Sequence, residues 1–192
     1  MTGIILADID DTILRSRPKD IGVWKYKDGE SIRLSTTEYA DDPDVHNPDV
    51  KFSYHEFEDP KLVRKSILNG TPLTRNLKII DKYLDKGYDF AFLTARGQED
   101  VIKEVMESFM KYNSPSGMVD IGERFKKGLS YAVTDEKYCE VFDGLSHAER
   151  KAEVIKHIAE MYDEVVFIDD DFKNLQLAKN LHLPNLITIQ AR

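Results

Sequence analysis

The sequence predicts an α/β protein built on a doubly wound parallel sheet, and three observations carry that prediction. Short apolar runs recur without polar alternation, as in strands buried on both faces. Stretches with helical spacing of apolar residues separate most of these runs, which implies crossover units. Two of the runs end in clustered aspartates, where open α/β sheets bind their ligands.

Taken in order, "GIILAD" (3–8) is the first strand and "YDFAFLT" (88–94) the second. "LSYAVT" (129–134), "EVVFID" (164–169) and "NLITIQ" (185–190) supply the other three. Helices are expected over 72–87, with Pro near the start and Gly at the end, and over 98–112, 146–162 and 172–181. Residues 15–70 break the alternation and are too long for a simple connection. Within them "VWKYKDGESIRL" reads as a hairpin around an Asp28-Gly29 turn. Ser35 with Glu38 is a capping box for a short helix, 41–50 reads as loop, and 59–70 as another short helix. The organisation is therefore a core of 1–14 and 71–192 carrying an inserted flap or small cap at 15–70, with no internal repeat.

Composition limits the functions open to this chain. At 192 residues it fits one domain, or one core domain with an insertion, and its 41% hydrophobic residues can bury a core. The formal net charge of −8 argues against a broad surface for nucleic acid or acidic membranes. No apolar run approaches the roughly 20 residues that span a bilayer. No basic stretch followed by an apolar one opens the chain, so no signal peptide is expected. The single cysteine, Cys139, excludes an intramolecular disulfide framework and a multi-cysteine zinc site. A cytoplasmic protein without membrane partners is the expectation; oligomeric state leaves no trace in the sequence.

The acidic strand ends point to a metal. Asp8, Asp10 and Asp11 follow the first strand, and Asp169, Asp170 and Asp171 close a later one. Either cluster alone suits a helix cap or a turn. Two at the same edge of a sheet repel one another unless a cation sits between them. Oxygen donors with no His or Cys cluster suit Mg²⁺.

These motifs resemble those of the haloacid dehalogenase (HAD) superfamily of phosphoryl-transfer enzymes. "DIDDTIL" matches its Asp-x-Asp-x-Thr motif with Asp8, Asp10 and Thr12, and "FAFLTAR" its strand ending in Ser or Thr with Thr94. A lysine near the start of the helix before the last acidic strand is its third motif. "FIDDDFKN" is its acidic pair, with Asp169 and Asp170, followed by Asn174. All four occur in order, from residue 3 to about 181. The resemblance implies a Rossmann-like sheet of the HAD type with a small flap or cap after the first strand. It implies an Mg²⁺-dependent phosphatase, with Asp8 as nucleophile and Asp10 as general acid/base. Asp8, the Asp10 carbonyl and Asp170 would hold the metal, and Asp169 would be a weaker ligand or only orient the site.

Elementary chemistry runs parallel to this. Residues two apart in a strand point the same way, so Asp8 and Asp10 can address one substrate. One carboxylate can attack phosphorus while the other handles the leaving-group proton, through an aspartyl-phosphate. Asp11 and Asp171 read as turn-shaping residues. Thr94 reads either as a cap for the helix at 98 or as a phosphate contact, together with the backbone at Ala95. Arg96 reads either as a contact to a distal anionic group of the substrate or as a solvated side chain.

The lysine has two candidates. At about 100° per residue, the apolar face of the 146–162 helix centres within roughly 10° of Lys151, with Lys156 roughly 140° away. A lysine in the middle of an apolar face needs a partner for its ammonium, so Lys151 is chosen. The expected partner is a phosphorylated small molecule or nucleotide, a polynucleotide end being less favoured by the charge. A receiver-type phosphoacceptor uses the same residue types but expects its lysine last. A catalytically silent phosphate-binding module on the same fold is the other alternative.

Overall fold

The computed structural model describes residues 2–45, 47–113 and 130–191. After β1 (Gly3–Ala7) come β2 (Leu14–Arg15), the hairpin of β3 (Val23–Lys27) and β4 (Glu30–Leu34), α1 (Thr36–Ala40), β5 (Lys51–Ser53) and α2 (Pro60–Leu68). β6 (Thr71–Pro72) then pairs back on β2. From there the chain alternates through α3 (Thr74–Asp85), β7 (Asp89–Thr94), α4 (Glu99–Asn113), β8 (Ser130–Ala132) and α5 (Glu136–Val141). It ends with α6 (His147–Ala159), β9 (Glu164–Asp169), α7 (Phe172–Asn180) and β10 (Leu186–Gln190). Leu129, placed in a strand by its sequence, lies outside the described residues, as does His46 of the expected loop.

The five-stranded sheet is parallel throughout, in the order β10-β9-β1-β7-β8, and it is the expected Rossmann-like α/β arrangement. β1 is central and carries no polar side chain. Its alternate residues feed two cores. Ile5 and Ala7 join Phe90, Phe92, Val166 and Ile168 beneath α3 and α4. Ile4 and Leu6 join Leu93, Val165 and Phe167 beneath α6 and α7. From β1 the chain builds outward through β7 and β8, then returns to lay β9 and β10 on the other side. The strand order thus reverses between β1 and β9. That reversal opens a crevice beyond their carboxyl ends.

The inserted residues form a three-stranded antiparallel sheet, β4-β3-β5, one strand more than the expected hairpin. The hairpin turns on Asp28 and Gly29, both with positive φ (53° and 81°), as the tight Asp-Gly turn requires. Ser35 and Glu38 form the expected capping box for α1, and Asp59 caps α2. Ile21, Val63 and Ile67 are fully buried members of the core on the α3/α4 side. Through these residues the insertion shares its apolar interior with the parallel sheet. No helix among the described residues is long and apolar enough to cross a membrane.

Candidate active site

Strand register brings the two acidic clusters together. Ala7 lies opposite Ile168, and the ladder continues one step with the Asp8 N–H donating to the Ile168 carbonyl at 3.0 Å. Asp8 is therefore beside Asp169. Both continue the side-chain parity of Leu6 and Phe167, so both face the helix layer that holds α6. One oxygen from each of Asp8, Asp169 and Asp170 fits within 4.8 Å of the others.

Lys151 enters this cluster from α6. It sits among Ala148, Ala152, Val154, Ile155 and Ile158 on the buried side of the helix. Its Nζ donates to Asp8 Oδ1 and Asp169 Oδ2, each at 2.8 Å. Lys156 instead is 56% exposed and pairs with Glu153 at 3.7 Å. Burial disfavours the Lys151 charge, but the carboxylates of Asp169 and Asp8 outweigh it and hold the ammonium above its ordinary pKa. A capping box of Ser146 and Glu149 starts α6 one turn earlier.

The carboxylates differ in what already binds them. Asp169 is saturated: its oxygens accept from Lys151, from the Asn174 amide at 3.0 and 3.1 Å, and from the Asp171 N–H at 2.8 Å. Asp171 in turn caps α7, as its turn-shaping assignment expects. These bonds cast Asp169 and Asn174 as supports of Lys151. Asp170 exchanges hydrogen bonds with Thr12: its N–H donates to the hydroxyl at 3.0 Å, and its Oδ1 accepts from it at 3.2 Å. Lys151 holds Asp8 through Oδ1 alone.

Burial raises the Asp8 carboxyl well above the usual carboxylate range, with Lys151 pulling it back and Asp169, Asp170 and Asp10 pushing it further up. Burial, then the charges of Asp169 and Asp11, push Asp170 up to about 7. Three carboxylates against one ammonium leave unbalanced negative charge on hard oxygen donors. This donor set fits Mg²⁺, since Asp8 and Asp170 keep carboxylate lone pairs that Lys151 and Thr12 do not fill.

Asp10 departs from the expectation that it and Asp8 project alike. β1 ends at Ala7, and the chain turns tightly, with Asp11 at φ 51° and the Ile13 and Leu14 N–H groups both donating to the Ile9 carbonyl. Strand alternation therefore stops before Asp10. Its carboxylate accepts from Arg96, Nε to Oδ2 at 2.7 Å and Nη2 to Oδ1 at 2.6 Å, and from the Ser16 hydroxyl at 3.2 Å. Asn76 Nδ2 holds the turn from α3 by donating to the Thr12 carbonyl at 2.8 Å. Asp11 pairs outward with Arg15.

Two alternatives for the 94–98 stretch are corrected. Arg96 is not solvated: it is 1% exposed, with Asp10, Ser16 and Ser66 as partners. With its guanidinium engaged in this way, it does not stand as a free anchor for a distal anionic group. Thr94 does not cap α4, which begins at Glu99; its hydroxyl accepts from the Arg96 N–H at 3.2 Å and shapes the turn. The Ala95 carbonyl accepts from the Thr134 hydroxyl at 2.9 Å, which ties the same turn to the chain after β8. Ser16 and Ser66 escaped the sequence reading because small hydroxyls in loops and helices carry no signal of a partner 80 or 30 residues away.

No protein-family model matches the chain, and no curated protein matches it.

Proposed function

We propose that the protein is an Mg²⁺-dependent phosphatase of the HAD type, hydrolysing a phosphomonoester through a phosphoryl group carried on Asp8. The observation that carries this reading is the meeting of Asp8, Asp170 and Lys151 at the strand-order reversal. Asp8 there keeps one oxygen for attack, while Lys151 grips the other. That oxygen attacks phosphorus and the bond to the leaving group breaks, Asp10 in its acid form giving to the departing oxygen a proton carried on the lone pair of Oδ2 that Arg96 leaves open. Water then attacks the phosphorus of the acyl phosphate, passing a proton to Asp10. Asp8 is released as a carboxylate, with inorganic phosphate as product.

Lys151 supplies positive charge where phosphoryl oxygens gather, and Asp169 and Asn174 keep it aimed. Mg²⁺, when bound, would be held by Asp170, the Asp10 carbonyl and the Asp8 oxygen that Lys151 also touches, leaving the other Asp8 oxygen to attack. It would neutralise the repulsion between an anionic nucleophile and an anionic substrate. The hydroxyl of Thr94 and the backbone at Ala95 line the third strand end, where a phosphate can meet N–H donors. Residues 15–70 serve as a flap or small cap over this edge. The net charge of −8 favours a small phosphometabolite or nucleotide over a long polynucleotide.

The test is phosphate release from generic phosphomonoesters with and without Mg²⁺. The reading requires release that needs the metal and stops with EDTA. Phosphate that stays on the protein without turnover would favour a phosphoacceptor instead, and neither outcome would leave a silent binding module.

A further inference from the structure

We infer that Arg96 is a positioning residue that fixes the Asp10 carboxylate for proton transfer, and that the insertion builds the socket in which it does so. This inference rests on the proposed phosphatase reading.

Arg96 is among the largest fully buried side chains of the molecule. Its planar fork meets both oxygens of Asp10 at 2.7 and 2.6 Å, a two-point contact that fixes the rotation of the carboxylate as well as its place. Among the described residues, the other polar and ring contacts to that fork come from residues 15–70. The Ser16 hydroxyl accepts from Nη2 at 2.8 Å and donates to Asp10 Oδ1 at 3.2 Å, closing a three-membered ring of hydrogen bonds. The Ser66 hydroxyl accepts from Nη1 at 2.8 Å while donating to the Val63 carbonyl, so its lone pair is turned toward the arginine. The guanidinium carbon lies over the Phe57 ring, 5.6 Å from the ring centroid. Asp10 itself lies beyond the end of β1, in a turn, and lacks the fixed direction a strand would give it. The direction comes from Arg96.

A carboxylate held this way can be aimed at the leaving group without Arg96 touching substrate. Loss of the fork should therefore harm the step that needs a proton far more than the step that does not. The experiment compares wild type, Arg96→Gln, Arg96→Lys and Ser66→Ala, each with Mg²⁺, on an alkyl phosphate and on p-nitrophenyl phosphate, whose leaving group departs without help. For Arg96→Gln, the single-turnover rate of leaving-group release should fall on the order of a hundredfold more for the alkyl ester than for the aryl ester, whereas hydrolysis of the shared intermediate should slow equally for both. Arg96→Lys, which keeps the charge but lacks the fork, should show the same preference. Ser66→Ala keeps all charges and should show it in milder form. It serves as the readout if Arg96→Gln does not fold.

Equal losses on both esters in the single-turnover release of the leaving group, or a rise in KM with that rate retained, would overturn the positioning role while leaving the phosphatase reading intact. A wild type that hydrolyses neither ester would overturn the phosphatase reading itself, and this role with it.

Discussion

Lys151 is where the residue scale matters most. On the apolar-face argument alone, Lys151→Met should fold as well as wild type or better, because a charge leaves an apolar surface. The contacts reverse that sign. Among the described residues the ammonium is the only cation touching Asp8 and Asp169, so methionine leaves both carboxylates buried without it. Breaking such a pair from one side costs about 3–5 kcal/mol. Lys151→Met should therefore lower the denaturation midpoint as well as reduce turnover by orders of magnitude, whereas Lys156→Met should change neither. Denaturant melts beside kinetics distinguish the two positions. Titration adds a second expectation at this scale. Asp170 binds its proton more tightly in the folded protein, with a pKa of about 7 against 3.8 unfolded. The folded state is thus relatively favoured at low pH. Without metal, stability should fall as pH rises from near 4 to about 7 and then level off. Mg²⁺ should reduce that decline. Asp170→Asn should remove the Asp170 share of it, leaving the part due to the raised Asp8 carboxyl, and should weaken the response to Mg²⁺. Thermal melts across pH, in EDTA and in Mg²⁺, measure this.

At the scale of elements, the helices that carry site residues are held by local devices and by the shared core. The Ser146 and Glu149 box starts α6, so Ser146→Ala should cost about 1 kcal/mol. Turnover per folded molecule should be unchanged, since Lys151 lies beyond the frayed turn. α2 is anchored by Val63 and Ile67, both fully buried. Ile67→Ala should cost about 2–5 kcal/mol in a denaturant melt, a loss typical of a core position rather than a surface flap. The elements were legible in the sequence to differing degrees. The parallel strands stood out because burial on both faces makes them continuous apolar runs. The Asp28-Gly29 turn and the Ser35 cap stood out because each needs particular residue chemistry. β5 did not, because "KFS" has too few residues to show alternation and owes its state to pairing with β3. The pairing of β2 with β6 is equally short and equally non-local.

Across the whole molecule, the parallel sheet gathers residues far apart in the chain at one edge. Asp8 and Lys151 are 143 residues apart, and Arg96 and Asp10 are 86. The first pair could be read from sequence, because a lysine central on an apolar helix face has few places to put its charge. The second could not, since an arginine after a strand end looks the same whether it meets solvent, substrate or a carboxylate. The central claim is that Asp8 carries the phosphoryl group, and trapping that group tests it most directly. Asp10→Asn should still accept phosphate from p-nitrophenyl phosphate but hydrolyse the intermediate slowly. Acid quenching followed by peptide mapping should then find phosphate on Asp8, and none in the Asp8→Asn protein. Phosphate on another residue, or normal turnover by Asp8→Asn, would contradict the account.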